Sequence, residues 1–204
     1  MSALYIALAH HPVLNKAGET VTTSISNLDI HDIARAAETY GVKAYYIVHA
    51  DPRQQELLET IRTFWQEPGL PYNPQRSQAL ARIRTSATID MMINEITTQE
   101  EKRPLIVTTT ARKLRDQISF GYLKTLTLNN RPVLLIFGTG HGLCEEVHQA
   151  ADHILEPVTG SGDYNHLSVR SAVSVVLDRL SSEYIYGRNH GYSAHSWQRP
   201  NQNR

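Results

Sequence analysis

The eight residues Ile136 to Leu143, IFGTGHGL, place three glycines at alternate positions directly after an apolar run. Gly138, Gly140 and Gly142 can take backbone angles that other residues avoid and let a ligand approach main-chain amides closely. A dinucleotide fingerprint needs glycines at relative positions one, three and six and the match here fails at the sixth, while a phosphate loop needs a following Gly-Lys-Ser/Thr. A ligand loop and a plain strand-to-helix turn therefore both fit this stretch taken alone. A second polar, glycine-bearing loop runs from Glu156 to Ser168, EPVTGSGDYNHLS. Two such loops leaving successive strands at one sheet edge would form a cleft at the carboxyl ends, where open α/β sheets bind ligands.

Other chemistries find less support. The ten histidines include His10 and His11, which would face opposite ways on a strand, and His141 and His148, seven apart. His190 and His195 lie near the C-terminus, and none forms a helical ligand pair, so structural or loop roles and no metal are expected. Gly160-Ser161-Gly162 lacks the spacing of a nucleophile elbow. The single cysteine, Cys144, excludes an internal disulfide and a multi-cysteine zinc site.

The elements that must position the two loops alternate between strand-like and helix-like periods, which predicts an α/β fold: a mostly parallel sheet of about six strands with helices on both faces. Strands are expected at Leu4 to Ala9, Ala44 to Val48, Leu80 to Arg84, Leu105 to Thr109, Pro132 to Phe137 and His153 to Leu155. Pro12 to Ser26 reads as a loop with a short extended segment at Thr20 to Thr23. Asn27 should cap a helix that buries Ile30, Ile33, Ala34 and Ala37 and ends at a left-handed Gly41. Further helices are expected from Pro52 to Trp65, broken by Pro68-Gly69-Leu70-Pro71, from Ser86 to Thr98, and from Asn165 to Tyr186. The last carries Val169, Ala172, Val173, Val176, Leu177, Leu180 and Tyr184 on one stripe. One domain over 1–187 is expected, with a loose tail over 188–204 that is nearly free of aliphatic residues.

LLIFGTGHGL, followed by HILEPVTGSGDYNHLSVRSAVSVVLDRL, resembles the two C-terminal motifs of the SPOUT RNA methyltransferases. NLDIHDIARAAETYGVKAYYIV, Asn27 to Val48, resembles that family's first motif, a helix start with an arginine and a terminal glycine. The spacing looks nearest to bacterial members of the tRNA guanine-N1 methyltransferase-like branch. The resemblance implies a C-terminal trefoil knot, a homodimer, and S-adenosylmethionine bound in a bent form, leaving as S-adenosylhomocysteine. Carried over by position, cofactor contacts fall on Thr108, Thr109, Gly138, Thr139, Gly140, His141, Leu155, Pro157, Asn165 and Leu167. Arg35 falls on the family's first-motif arginine, a catalytic or RNA-contacting position that is also where a solvated surface arginine belongs. Asp163 is placed to act as a base or to cap the last helix. His141 and His166 stand where many members have Glu and Asn, which leaves the methylated atom open.

Composition sets the remaining bounds. With 41% apolar and 20% charged residues the chain is an ordinary globular one, and twenty basic against twenty acidic side chains leave no overall pull toward RNA or a membrane. No stretch reaches the roughly 18 apolar residues of a membrane span, and the N-terminus lacks a basic signal-peptide start, so a cytoplasmic protein is expected. Lys102, Arg103, Arg112, Lys113, Arg115, Lys124 and Arg131 make a basic stretch with one acid, Asp116, suited to a tRNA or rRNA backbone. Arg188, Tyr192, Trp197, Arg199 and Arg204 give the tail a composition that could order on RNA. Two other readings stay open: a nicotinamide- or nucleotide-binding Rossmann-like enzyme, and a cofactor- or RNA-binding module without catalysis.

Overall fold

The computed structural model describes residues 2–181, so the expectations for the tail and for Tyr184 and Tyr186 lie outside the described residues. The chain opens with β1 (Leu4–Ala9), a short hairpin of β2 (Val13–Leu14) and β3 (Thr20–Val21), and helix α1 (Asn27–Thr39). Then come β4 (Ala44–Val48), α2 (Pro52–Gln66), α3 (Pro74–Leu80), β5 (Ile83–Ser86) and α4 (Ile89–Glu100). The remainder is β6 (Leu105–Thr109), β7 (Gln117–Ile118), α5 (Phe120–Leu126), β8 (Val133–Gly138), α6 (Glu145–Gln149), β9 (His153–Leu155) and α7 (Val169–Ser181).

Seven strands pair in parallel in the order β5-β4-β1-β8-β6-β9-β7. Their side chains alternate between two cores, as a sheet covered on both faces requires. Ile6, Leu8, Tyr45, Ile47, Val133, Leu135 and Phe137 face α1, α3, α5 and α7. Tyr5, Ala7, Tyr46, Val48, Leu134 and Ile136 face Met92 and Ile96 of α4.

Helix α1 buries the expected Ile30, Ile33, Ala34 and Ala37 and ends at Gly41 with φ +66. Its cap is Ser26 rather than Asn27, and no side-chain cap bond forms there. The expected strand Leu80 to Arg84 shifts to Ile83–Ser86, because Asn73 caps Arg76 N–H, Pro74 starts α3, and Ala79 and Leu80 belong to that helix's buried side. Helix α7 starts at Val169, four residues later than expected. Ser168 supplies the start: its carbonyl accepts from Ala172 N–H and its hydroxyl faces Ser171 N–H.

Connections leave β1 toward α1 on one face and β8 toward α6 on the other, so the strand order, though not the strand direction, reverses between these two parallel strands. The β2–β3 hairpin covers that point, with Val13 fully buried. Strand β9 enters between β6 and β7, and residues 110–116, joining those two, cross its end.

Candidate active site

Three connections leave the adjacent strands β8, β6 and β9 at the same sheet edge: residues 139–144, 110–116 and 156–168. Asn165 Nδ2 donates to the Ala111 carbonyl at 2.8 Å, which fastens the third connection to the second. The first is fastened to the hairpin. Leu14 N–H donates to the Gly142 carbonyl and His141 N–H to the Leu14 carbonyl, each at 2.8 Å. Gly140 sits at φ +59, and a Cβ there would lie 2.7 Å from the Leu14 carbonyl oxygen. At Gly138 a Cβ would lie 2.7 Å from Leu143 N. These glycines are required by the chain's own close contacts. The amides of Thr139, His141 and Gly142 donate to Ala9, Leu14 and Thr139, so those three are not aimed at a ligand; the loop is instead held in a fixed shape before any ligand arrives.

Beneath the hairpin lies a polar hub that sequence reasoning had left among structural histidines. Asp51 N–H donates to His49 Nδ1 at 3.0 Å, which puts the ring proton on Nε2, 3.1 Å from the Thr23 carbonyl it donates to. Thr139 Oγ1 donates to the Ala9 carbonyl at 3.3 Å; Thr23 Oγ1 donates to Thr139, and His10 Nδ1 donates to Thr23 at 3.0 Å. His10 Nε2 is buried without a partner among the described residues. Burial, then the neighbouring His49, pushes His10 down to about 4, so it is neutral near pH 7. The hub thus ties the first loop to the ends of β1 and β4. Its only sequence signal was two histidines and two threonines near strand ends.

The remaining expected residues divide by exposure. Thr108 is wholly buried and bonded to His148 Nδ1 at 2.9 Å, and Thr109 Oγ1 donates to the Ile136 carbonyl at 3.1 Å. Leu155 and Pro157 are buried as well, so at those two only the main chain could meet a ligand. Gly140, His141, Asp163 and Leu167 are exposed, Leu167 to 48%.

Asp163 does not cap α7, which begins six residues later. Of the five acids between Cys144 and Asp163, the others are engaged. Glu145 and Glu146 occupy the first turn of α6, Asp152 holds Arg131 at 3.1 Å and Arg103 at 3.5 Å, and Glu156 accepts from Phe120 N–H at the start of α5. Asp163 alone has no polar partner among the described residues. Arg35 is exposed opposite the α1 stripe and lines a groove of about 570 Å³ between α1 and α7, with Asp32, Arg170 and Ser174. Arg170 bridges Asp29 and Asp32 at 3.4 Å each. No residue lining this groove belongs to the three connections, so Arg35 and Asp163 occupy different surface features.

The basic stretch is also divided. Lys102 and Arg103 precede β6 and Arg131 precedes β8, at the sheet's opposite edge, while Arg112, Lys113 and Arg115 sit in the 110–116 connection. The single strip read from sequence is therefore not one surface. The dinucleotide alternative fares worse: α6 has only five residues, and Glu145 and Glu146 in its first turn would repel a pyrophosphate.

An α/β sheet of this order, with three loops gathered at one edge, defines a SPOUT-type methyltransferase fold, and solved structures agree. A TrmH/SpoU tRNA-modifying enzyme of A. aeolicus superposes with TM-score 0.55 at 16% identity, covering 89% of this chain and 75% of that one. A SpoU methyltransferase of Streptomyces viridochromogenes in complex with S-adenosylmethionine gives TM-score 0.55 at 16% identity, over 92% and 60%. Residues 3–182 match the family of SAM-dependent RNA methyltransferases, and the chain belongs to it. A protein of Aquifex aeolicus is 39% identical over 181 residues, 88% of each chain. A tRNA (guanine-N(1)-)-methyltransferase of Oleidesulfovibrio alaskensis is 40% identical over 183 residues, 89% of this chain and 43% of that one. The chain thus spans less than half the length of that tRNA methyltransferase.

Proposed function

We propose that this chain transfers a methyl group from S-adenosylmethionine to an RNA nucleotide at the edge formed by the three connections. The observation that carries this reading is their convergence in a chain that matches the family from residue 3 to 182. The lining fits the cofactor. Main chain at Leu155, Pro157 and Gly140 can read adenine without charge, exposed Leu167 offers an apolar face for it, and a lone carboxylate suits a cationic sulfonium. Thr108, Thr109, Gly138, Thr139, His141 and Asn165 complete the set by holding the three connections in shape around it. When bound, S-adenosylmethionine supplies an electrophilic methyl group that needs no metal.

Asp163 accepts the proton of the attacking nucleotide atom, and Arg35 holds RNA charge. Because Arg35 lies in a separate groove, a homodimer that brings one protomer's α1 beside its partner's loops is the simplest way to assemble both. Strand β9 arrives from α6 on one sheet face and leaves toward α7 on the other beneath residues 110–116, which supports a trefoil knot. The acceptor is a tRNA or rRNA in the cytoplasm; the guanine-N1 name of the longer relative favours tRNA.

Transfer of labelled methyl from S-adenosylmethionine to purified tRNA and rRNA fractions tests this. Wild type should label one fraction. Asp163→Asn should reduce turnover by about 100-fold or more while keeping cofactor affinity, and Arg35→Ala should lower transfer without changing that affinity. Equal turnover in Asp163→Asn removes the base role, and no transfer to either fraction contradicts the assigned acceptor.

A further inference from the structure

Cations on the described surface are mostly engaged. Arg103 and Arg131 meet Asp152, Arg53 meets Asp51, Arg82 meets Glu38, and Lys43 meets Glu100. Arg112, Lys113 and Arg115 depart from this pattern: three basic residues within the short 110–116 connection form no ion pair among the described residues. Across the Asn165–Ala111 hydrogen bond stands a second unusual feature. Tyr164 is 79% exposed, and its ring meets His166 edge-on, with centroids 5.5 Å apart and planes at 75°. An edge-on contact covers at most one face of the tyrosine ring. An aromatic this exposed packs against little of its own protein, and Asp163 is its immediate neighbour in the chain.

From this juxtaposition we infer a docking surface for single-stranded RNA: Tyr164, braced by His166, stacks an unpaired base next to the target nucleotide, and Arg112, Lys113 and Arg115 follow the adjoining phosphates. A base inside a duplex cannot reach such a ring, whereas a loop or bulge nucleotide can. Stacking tolerates any base, so this surface supplies position and affinity and leaves sequence choice to other contacts. The inference deepens the RNA methyltransferase reading and rests on it.

Fluorescence anisotropy with a labelled, mixed-sequence oligoribonucleotide of about 20 nucleotides, across a salt series, separates the two contributions. Each single-strand phosphate contact contributes about 0.7 to the slope of log K against log salt, so the triple variant Arg112→Ala, Lys113→Ala, Arg115→Ala should flatten it by about 2. Tyr164→Ala should weaken binding about 5- to 100-fold at every salt with the slope unchanged, and Tyr164→Phe should restore it. Thermal stabilisation by S-adenosylhomocysteine, measured on each variant, reports the fold and the cofactor loops independently. Wild-type affinity in Tyr164→Ala, equal losses from Lys102→Ala with Arg103→Ala at the opposite edge, or equal binding of the annealed duplex would each overturn the surface. A Tyr164→Ala chain that also loses the cofactor response would make Tyr164 a packing residue and overturn it too. A wild type that binds the cofactor but no oligonucleotide would overturn this surface while the cofactor reading stands.

Discussion

Gly140 shows that a glycine's type is legible in a sequence while the contact that requires it is not. Its spacing marked a ligand loop, yet the space its Cβ would fill belongs to the Leu14 carbonyl. Gly140→Val combines strain at φ +59 with that clash, at a cost of about 2–4 kcal/mol. It should lower the melting temperature and abolish S-adenosylmethionine binding together, read by thermal unfolding and calorimetry. Gly162→Ala, with no neighbour within 4 Å of its Cβ, should leave stability nearly unchanged. Retained affinity in Gly140→Val would mean that the hairpin does not set the loop. His10 carries a pH prediction. Its native value, about 4, lies below the 6.5 of the unfolded chain, so between these values the unfolded state binds more protons. Stability is therefore full above pH 6.5 and is lost as pH falls toward 4, by at most about 3 kcal/mol. Urea midpoints from pH 7 to 4 should fall, and His10→Asn should flatten part of that fall; a slope unchanged in the variant would place the titration elsewhere. His148, whose ordinary value burial also lowers, contributes in the same direction. The histidines were visible in sequence, but their burial and shared partner, Thr23, were not, because these depend on contacts between distant segments.

Elements with long apolar periods were legible. The α1 and α7 stripes and four of the strands fell where the sequence placed them, since burial of one helix face or an entire strand leaves an unmistakable pattern. Short elements were not. Two-residue β7 and seven-residue α5 are too brief for periodicity, and α3 takes in Leu80, the first residue of the expected strand Leu80 to Arg84. Helix α2 runs 15 residues with Leu58 as its one fully buried side chain. Leu58→Ala should accordingly cost about 2–5 kcal/mol, and amide exchange should quicken first in α2. Uniform quickening across the sheet would show that α2 unfolds only with the whole.

The order of strands governs the whole molecule, and no local pattern reveals it. Insertion of β9 between β6 and β7 brings Asn165 to Ala111 and so joins two connections that lie 54 residues apart. Local periodicity carries no signal for such a strand order, because it pairs segments far apart in the chain. On the proposed reading that same gathering makes the three loops a cofactor site, so cofactor choice is the property that most directly tests it. Melting temperatures should be measured for the intact chain alone and with saturating S-adenosylmethionine, S-adenosylhomocysteine or NAD. A ligand at about 100 times its dissociation constant adds roughly 2.7 kcal/mol of stability, on the order of 5–10 °C here. A rise of that size with both adenosyl ligands and none with NAD is the predicted result; a rise with NAD alone, or with none of the three, would contradict the assignment of this edge to S-adenosylmethionine.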